Sequence, residues 1–193
     1  MKTPKICATA LAVLLMLALR SVGGAQEATP TPDPLEYDDV AMHYRAPANA
    51  VLMGPIQYPT LQTLSQDPTR VASWVIPGRT QQDTKVISIT MELYTGSLDG
   101  FESSYANELR GDDSSTLVKS KENVMLQNGM PAMFLDITQG SGFDTHKIFA
   151  YLWIDSQRAV VLSAEAMLGS LQADEAKQLL AGATGVRYPD DQP

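Results

Sequence analysis

The chain has 193 residues and a formal net charge of −8, because 22 aspartates and glutamates outnumber 14 lysines and arginines. This excess of acid argues against nucleic acid or anionic lipid as a partner, since affinity for either comes largely from Lys and Arg meeting phosphate. The only cysteine is Cys7, so the rest of the chain can form neither a disulfide nor a metal site built from thiolates.

The N-terminal residues have the three parts of a secretory signal in order. Lys2 and Lys5 supply positive charge, and residues 6–19 form an apolar run that an arginine closes. The small residues up to Ala25 suit a signal peptidase, so cleavage is expected after Ala25. The alternative is a membrane anchor, but a spanning helix needs about 20 predominantly apolar residues and this run is shorter. Residues 1–25 are therefore interpreted as a signal peptide, with no membrane anchor left after cleavage.

A proline-rich spacer and a polar tail are expected to flank one domain. Residues 26–36 contain three prolines and no periodic apolar face, which is typical of an extended spacer. Residues 37–188 are expected to form a single domain large enough to bury a normal core, and residues 189–193 form the tail. Loss of residues 1–25 removes three cations and no acid and changes the net charge to −11. We expect the exported domain to act in the periplasm or outside the cell.

The first part of the domain favours strands. Residues 40–44 predict a short strand, and segments 71–76 and 85–93 predict a hairpin that turns at Pro77 and Gly78. The second arm of this hairpin alternates cleanly, which predicts one apolar and one polar face. Its apolar positions are Ile87, Ile89, Met91 and Leu93, and its polar positions are Ser88, Thr90 and Glu92.

A helix is predicted over residues 98–110. Ser97 can cap its first turn and Gly111 can end it. Its apolar residues recur every three or four positions and so lie along one stripe. They are Leu98, Phe101, Tyr105 and Leu109.

The rest of the domain predicts an antiparallel meander and a last helix. The strand segments are 118–126, 130–138, 146–154 and 158–164, and the Asn-Gly turn between the first two is a strong hairpin signal. A helix is expected from about 171 to 181, with acidic residues in its first turn. This order predicts an α+β fold, in which helices pack on the faces of an antiparallel sheet of about six strands.

One strand of the meander is apolar on both faces and is expected to be central in the sheet. Its face made of Phe149, Tyr151 and Trp153 lies beside Phe134 of the preceding strand. This aromatic face is a candidate floor for a ligand pocket or partner groove. The alternative is ordinary core, covered by the helix that carries Phe101 and Tyr105. Core is favoured, because an uncovered patch of that size would promote aggregation.

The histidines, serines and acidic residues of the sequence form no recognisable catalytic or metal-binding motif. His43 and His146 are far apart, and neither has a second ligand at metal-binding spacing. The nearest serine, histidine and acid are Ser141, His146 and Asp144, in and beside a glycine-containing loop that favours turns. No nucleophile elbow of the form GxSxG occurs. We therefore expect no catalytic residue, no metal, no cofactor and no enzymatic activity.

A pair of carboxylates is the other arrangement that could support hydrolysis. Glu92 and Asp136 could face each other on the polar side of the sheet, and glycosidases use two acids about 5–10 Å apart. Two exposed strand carboxylates are the simpler interpretation of this pair.

Several segments together resemble the PsbP-like α/β/α sandwich, a group that includes bacterial envelope proteins of the DcrB type and small actinobacterial lipoproteins. They are Tyr44-Arg45-Ala46-Pro47, the hairpin strand, the helix after Gly96, the phrase LQNGMPA at 126–132, and Val160-Val161-Leu162-Ser163 followed by a helix. The resemblance spans about residues 40–186. It implies a non-enzymatic accessory or binding domain, and it supplies no catalytic residues. The lipidation signal of some members is absent from this sequence.

Three hypotheses for the function follow from the sequence. The first is an exported accessory domain that binds another envelope or secreted protein. The second is a carrier of a small apolar ligand between sheet and helix. The third is an unrecognised hydrolase. A shallow surface would favour the first, an apolar cavity the second, and a convergent polar cluster in a deep pocket the third.

Overall fold

A seven-stranded antiparallel sheet organises the residues that the computed structural model describes, which are 33–111 and 115–185. These residues all belong to the second of two units of the chain, Asp33–Pro193. The predicted signal peptide, most of the predicted spacer and the predicted tail lie outside the described residues. In chain order the elements are β1 (Glu36–Asp38), β2 (Met42–Arg45), β3 (Val51–Leu52), β4 (Thr69–Ile76), β5 (Lys85–Leu93), α1 (Leu98–Arg110), β6 (Leu117–Met125), β7 (Pro131–Gln139), β8 (His146–Asp155), β9 (Arg158–Met167), α2 (Ala173–Leu179) and β10 (Thr184–Gly185).

The strand order of the large sheet is β3-β4-β5-β9-β8-β7-β6, and every pairing is antiparallel. Strands β4 and β5 form a hairpin, and β6 to β9 form a meander that joins it through the β5–β9 pairing. A second sheet has the order β1-β2-β10. Single-turn 3₁₀ helices occupy Gln81–Asp83 and Gly142–Asp144.

Each face of the large sheet is covered by its own layer. One face, named the α1 face, packs beneath α1 and includes Leu135, Ile148 and Leu152. The opposite face packs against the small sheet and α2, and it holds the two tryptophans, Trp74 and Trp153, both with no exposed surface. This layering makes the fold α+β and confirms the predicted class, with ten strands in two sheets.

The helix α1 follows its local signals. The Ser97 hydroxyl accepts a hydrogen bond from Gly100 N at 3.2 Å, and the helix ends where Gly111 takes a φ of 47°. The predicted bounds of this helix, the β4–β5 hairpin and the central position of β8 are all confirmed.

The folded unit also includes residues that the sequence assigned to the spacer. Trp74 Nε1 donates to Pro34 O at 2.8 Å, and Asp33 forms an ion pair with Arg45 at 2.8 Å. Strand β1 begins at Glu36 and pairs with β2. These contacts join sequence-distant groups, so proline content alone did not indicate them.

Candidate functional site

The predicted aromatic face lies on the opposite face of the sheet, within the core. Phe134, Phe149 and Trp153 are buried, and Tyr151 is partly buried at the edge. Ring centroids of Phe134 are 5.9 Å from Phe149 and 5.0 Å from Tyr151. Lys177 of α2 places its Nζ 4.8 Å from the Phe134 ring centre. A partner would therefore have to displace α2 to reach most of this face.

The expectation that α1 covers this aromatic face is wrong. Phe101 and Tyr105 belong to the cluster on the α1 face, whereas Phe149 and Trp153 belong to the cluster beneath α2 and the small sheet. Alternation along β8 fixes which residues share a face. It does not determine which helix covers that face.

The Ser141, Asp144 and His146 trio is not assembled. Ser141 and Asp144 are exposed in and beside a 3₁₀ turn. His146 Nδ1 lies instead 2.7 Å from Glu165 Oε1 on the neighbouring strand. The other histidine, His43, lies 3.6 Å from each of two carboxylates in the small sheet.

The carboxylates Glu92 and Asp136 do not face each other. Asp136 stands opposite Phe149 in the pairing of β7 with β8, and its carboxylate contacts Lys147 on the opposite face of the sheet. Glu92 stands opposite Ala159, whose side chain belongs to the cluster on the α1 face. The two strands present these positions to different sides of the sheet, so the possible pair does not form. The favoured interpretation, two exposed strand carboxylates, is also wrong, because Glu92 is buried and Asp136 is partly buried.

A groove lies between α1 and the strands β4, β5 and β9, and we name it the α1 groove. It exists because α1 contacts chiefly β7 and β8. There the side-chain amide of Gln139 donates to Leu109 O at 2.7 Å and holds the C-terminal turn of the helix. The groove encloses about 340 Å³. Its polar lining includes Arg70, Ser88, Thr90, Glu92, Glu108 and Glu165.

The floor of the α1 groove is the polar face of β5. Ser88 is satisfied, because its hydroxyl lies 3.2 Å from the hydroxyl of Ser73. Glu92 is only 8% exposed, and within the described residues its side chain makes no hydrogen bond or ion pair. Its oxygens are not among the fully enclosed unpartnered atoms of the described residues, so they open into the groove.

Electrostatics in the groove are dominated by carboxylates. Burial, together with the charges of Glu108 and Asp67, raises the pKa of Glu92 to about 7. Burial and the Asp67 charge also raise the pKa of Glu108. Burial, followed by the charges of Glu165 and Glu108, raises the pKa of Tyr105. The carboxyls of Glu92 and Glu108 therefore resist ionisation, and a nearby cation would stabilise their ionised forms.

The α1 groove continues in both directions along the sheet. A depression of about 440 Å³ beside Tyr94 and Ser104 shares Glu92 with it. A second depression, of about 570 Å³ beside His146 and Gln81, shares Glu165 with it. The three depressions therefore follow one another along β5, from Val86 through Ser88 and Thr90 to Leu93. Within the described part of the chain, no group of three or more His, Cys, Asp or Glu residues could hold a metal ion.

Sequence reasoning identified the polar face of β5 but did not identify the groove. The available signal was a contrast between strands, because β8 is apolar on both faces while β5 carries Ser88, Thr90 and Glu92 on one. In a sheet whose two faces are both covered, a polar run on one strand indicates where the cover is incomplete. The docking position of α1, which decides the place of the opening, depends on distant packing.

Comparison with known proteins supports the fold and does not assign a family. No protein-family model matches the chain, and no curated protein matches it. Cyanobacterial PsbP (CyanoP) from Synechocystis sp. PCC 6803 has a similar structure, with a TM-score of 0.51 and 9% sequence identity over 75% of this chain and 85% of that one. A protein of unknown function from Pseudomonas aeruginosa matches with a TM-score of 0.43 and 8% identity over 55% of this chain and 73% of that one. The chain has a PsbP-like fold, as the sequence resemblance predicted.

Neither of the two helices in the described ranges has the length and hydropathy of a membrane-crossing segment.

Proposed function

We propose that the chain is an exported, non-enzymatic accessory domain that binds another envelope or secreted protein through the α1 groove. The observation that carries this proposal is the elongated, open groove with the buried carboxylate of Glu92 in its floor. An elongated groove fits an extended segment of a partner chain better than a compact ligand. The PsbP-like fold supports the same class of function by analogy only.

The space between helix and sheet does not favour a carrier of apolar ligands. An apolar molecule in the α1 groove would lie against Ser88, Thr90 and Glu92. It would remove water from Thr90 and Glu92 without replacing the hydrogen bonds, which costs about 1–3 kcal/mol for each group.

Hydrolysis is the second candidate, because one specific observation favours it. A glutamate in a cleft with a pKa of about 7 has the property of a general acid. Glu108 in the same groove offers a second carboxylate. Neither group has a nucleophile or an orienting partner beside it in the described residues, so binding remains the function that we propose.

Site-specific photo-cross-linking in the native host tests the proposal. A photoreactive side chain would replace Ser104 on α1 or Arg70 across the groove, both of which are exposed. The matched control is Gln178, which is exposed on α2 beyond the opposite face. Both groove positions should form an adduct of the same mass, and Gln178 should not. Equal adducts at all three positions, or none in the groove, would contradict the proposal.

The hydrolase alternative has its own measurement. Turnover of glycoside, ester or amide substrates by the purified protein would be compared with Glu92→Gln. Turnover that the substitution abolishes while the fold is retained would replace the binding proposal with the hydrolase.

A further inference from the structure

We propose that the α1 groove recognises a lysine side chain on an extended basic segment of the partner, and that Glu92 pairs with its ammonium group. This inference rests on the proposed function and adds the chemistry of the partner. It is argued from the burial of Glu92, from the charges around it and from the composition of the groove walls.

Glu92 is the first part of the argument. Its side chain is more than nine-tenths buried, lines both the α1 groove and the depression beside Tyr94, and has no partner within the described residues. A buried carboxylate costs folding free energy unless a cation or a donor compensates it. No side chain of the described residues pairs with Glu92, and its oxygens are not among the fully enclosed unpartnered atoms, so a cation that enters the groove can reach them.

The charges that act on Glu92 favour a cation. They are Asp67, which precedes β4, and Glu108 on α1, and Glu165 adds a further carboxylate farther along the groove, beside His146. Tyr105 of α1 is a neutral phenol, and burial raises its pKa further, while Tyr94 lines the adjoining depression. The cation of the groove lining is Arg70, which is exposed and whose charge lowers the pKa of Tyr105. An anionic segment would be repelled, and a basic one would be attracted.

The walls of the groove distinguish a lysine side chain from a free ion. Phe101, Ala159 and Val161 line the groove next to the carboxylates. A lysine places an apolar four-carbon stem below its charged head, so the stem can contact these walls while the ammonium reaches Glu92. No three-ligand metal cluster exists in the described ranges to favour a bare divalent cation. The elongated path gives the flanking backbone a place to lie.

Binding of such a side chain is coupled to the proton on Glu92. The carboxyl has a pKa of about 7, raised by burial and by Glu108 and Asp67. An ammonium group pairs with the ionised form, so the free protein has to lose this proton when it binds below pH 7. With about a tenth of the carboxyl ionised at pH 6 and about nine-tenths at pH 8, affinity should rise about tenfold across that interval.

Fluorescence anisotropy with a labelled peptide measures this recognition. The probe is acetyl-Gly-Ser-Lys-Ser-Lys-Gly-amide, and the same peptide with glutamate in place of lysine is its control. The protein is purified as its host processes it, as wild type, Glu92→Gln and Glu122→Gln. Glu122 is an exposed carboxylate outside the groove that pairs with Lys177 at 2.9 Å.

The wild type should bind the lysine peptide at least tenfold more tightly than the glutamate peptide at pH 8. Glu92→Gln should lower the affinity for the lysine peptide at least tenfold, because it deletes one partner of a desolvated ion pair. It should also remove the rise in affinity between pH 6 and pH 8. Glu122→Gln should bind as the wild type does. If Glu92→Gln lost its fold, Glu108→Gln on the exposed helix surface should still weaken binding severalfold.

Equal binding of the two peptides, or unchanged binding by folded Glu92→Gln, would overturn the inference. Spermidine that competes as well as the lysine peptide on a per-amine basis would also overturn it, since the groove would then select a small polyamine. If the groove positions cross-link to a partner but the lysine peptide does not bind, the inference that the partner presents a lysine is wrong and the proposed function stands. If the lysine peptide binds but the groove positions form no specific cross-link, the proposed function is wrong.

Discussion

Glu92 combines two roles at the scale of one residue. It lies on the polar side of β5, as its sequence position predicts. It also lies beside α1, where no side chain of the described residues pairs with it. Its pKa is raised to about 7. Burial is the largest cause, and the charges of Glu108 and Asp67 add to it. The folded protein therefore holds a proton there that the unfolded chain releases at lower pH.

Stability should fall with rising pH because of this group. The pKa of Glu92 is about 7 in the fold, against 4.5 for an ordinary glutamate, so its contribution to stability is fully present below pH 4.5 and is lost as pH rises through 7. Glu92→Gln cannot ionise, so it should match the wild type at pH 4 and exceed it at pH 8 by about 1–3 kcal/mol. Urea denaturation at both pH values measures the difference. If the wild type and Glu92→Gln were equally stable at pH 8, the ionised carboxylate would be solvated by water and would carry no burial cost.

Trp153 is the residue that tests the aromatic face. Its side chain has no exposed surface, so Trp153→Ala should destabilise the domain by roughly 3–5 kcal/mol, the usual cost of deleting a large buried aromatic. Chemical denaturation measures the loss, and Leu168→Ala at an exposed position should change stability by less than about 0.5 kcal/mol. A Trp153→Ala protein with normal stability that no longer binds its partner would instead make this face a binding surface.

At the scale of elements, the sequence predicted what is determined locally. Ser97 and Gly111 define α1 because a cap and a helix stop act within one turn. The Asn128-Gly129 turn joins β6 to β7 for the same reason. The docking of α1 was not predicted, because the contact of Gln139 with Leu109 spans 30 positions. That docking decides where the groove lies.

The loop predicted over residues 139–144, whose first residue is the last of β7, should have no catalytic role. Its conformation depends on the glycines Gly140 and Gly142, with φ of 89° and 64°, and on a hydrogen bond of 2.8 Å from the Thr145 hydroxyl to Gly142 O. The Ser141 side chain is exposed. Ser141→Ala should therefore change the free energy of unfolding by less than about 0.5 kcal/mol and keep partner binding. Thermal melts and peptide anisotropy measure both. Loss of an ester or amide turnover in both Ser141→Ala and His146→Ala, with the fold intact, would contradict this expectation.

At the scale of the whole molecule, the periodicity of the sequence predicted the class of fold but not its shortest strands. The long strands have eight to ten residues, enough for the two faces of β5 and β8 to be separated by the two-residue period. Strands β3 and β10 have two residues each, which is too short for a period to be seen. They form because β4 and β2 offer free backbone groups at their edges. The order of strands across the sheet likewise required long-range contacts.

Export is a prediction about the whole chain that can be tested directly. The N-terminal pattern predicts that the mature protein starts at Gln26 and is found outside the cytoplasm of its native host. Cell fractionation followed by intact mass measures both. A protein that retains Met1 and sediments with membranes would show that residues 6–19 are an anchor.

The pairing of β5 with β9 has a consequence for the order in which the protein folds. Leu93 and Arg158 are the partners closest in sequence, and Lys85 pairs with Ala166. Contacts this distant in the chain incur a large loop-closure entropy before they contribute to stability, whereas β6 to β9 can pair through short turns. The β4–β5 hairpin is synthesised before the meander, and we expect it to join the sheet only after β9 is available. A chain that crosses a membrane N-terminus first would therefore remain unfolded until β9 has emerged, which is the state that a translocation channel accepts.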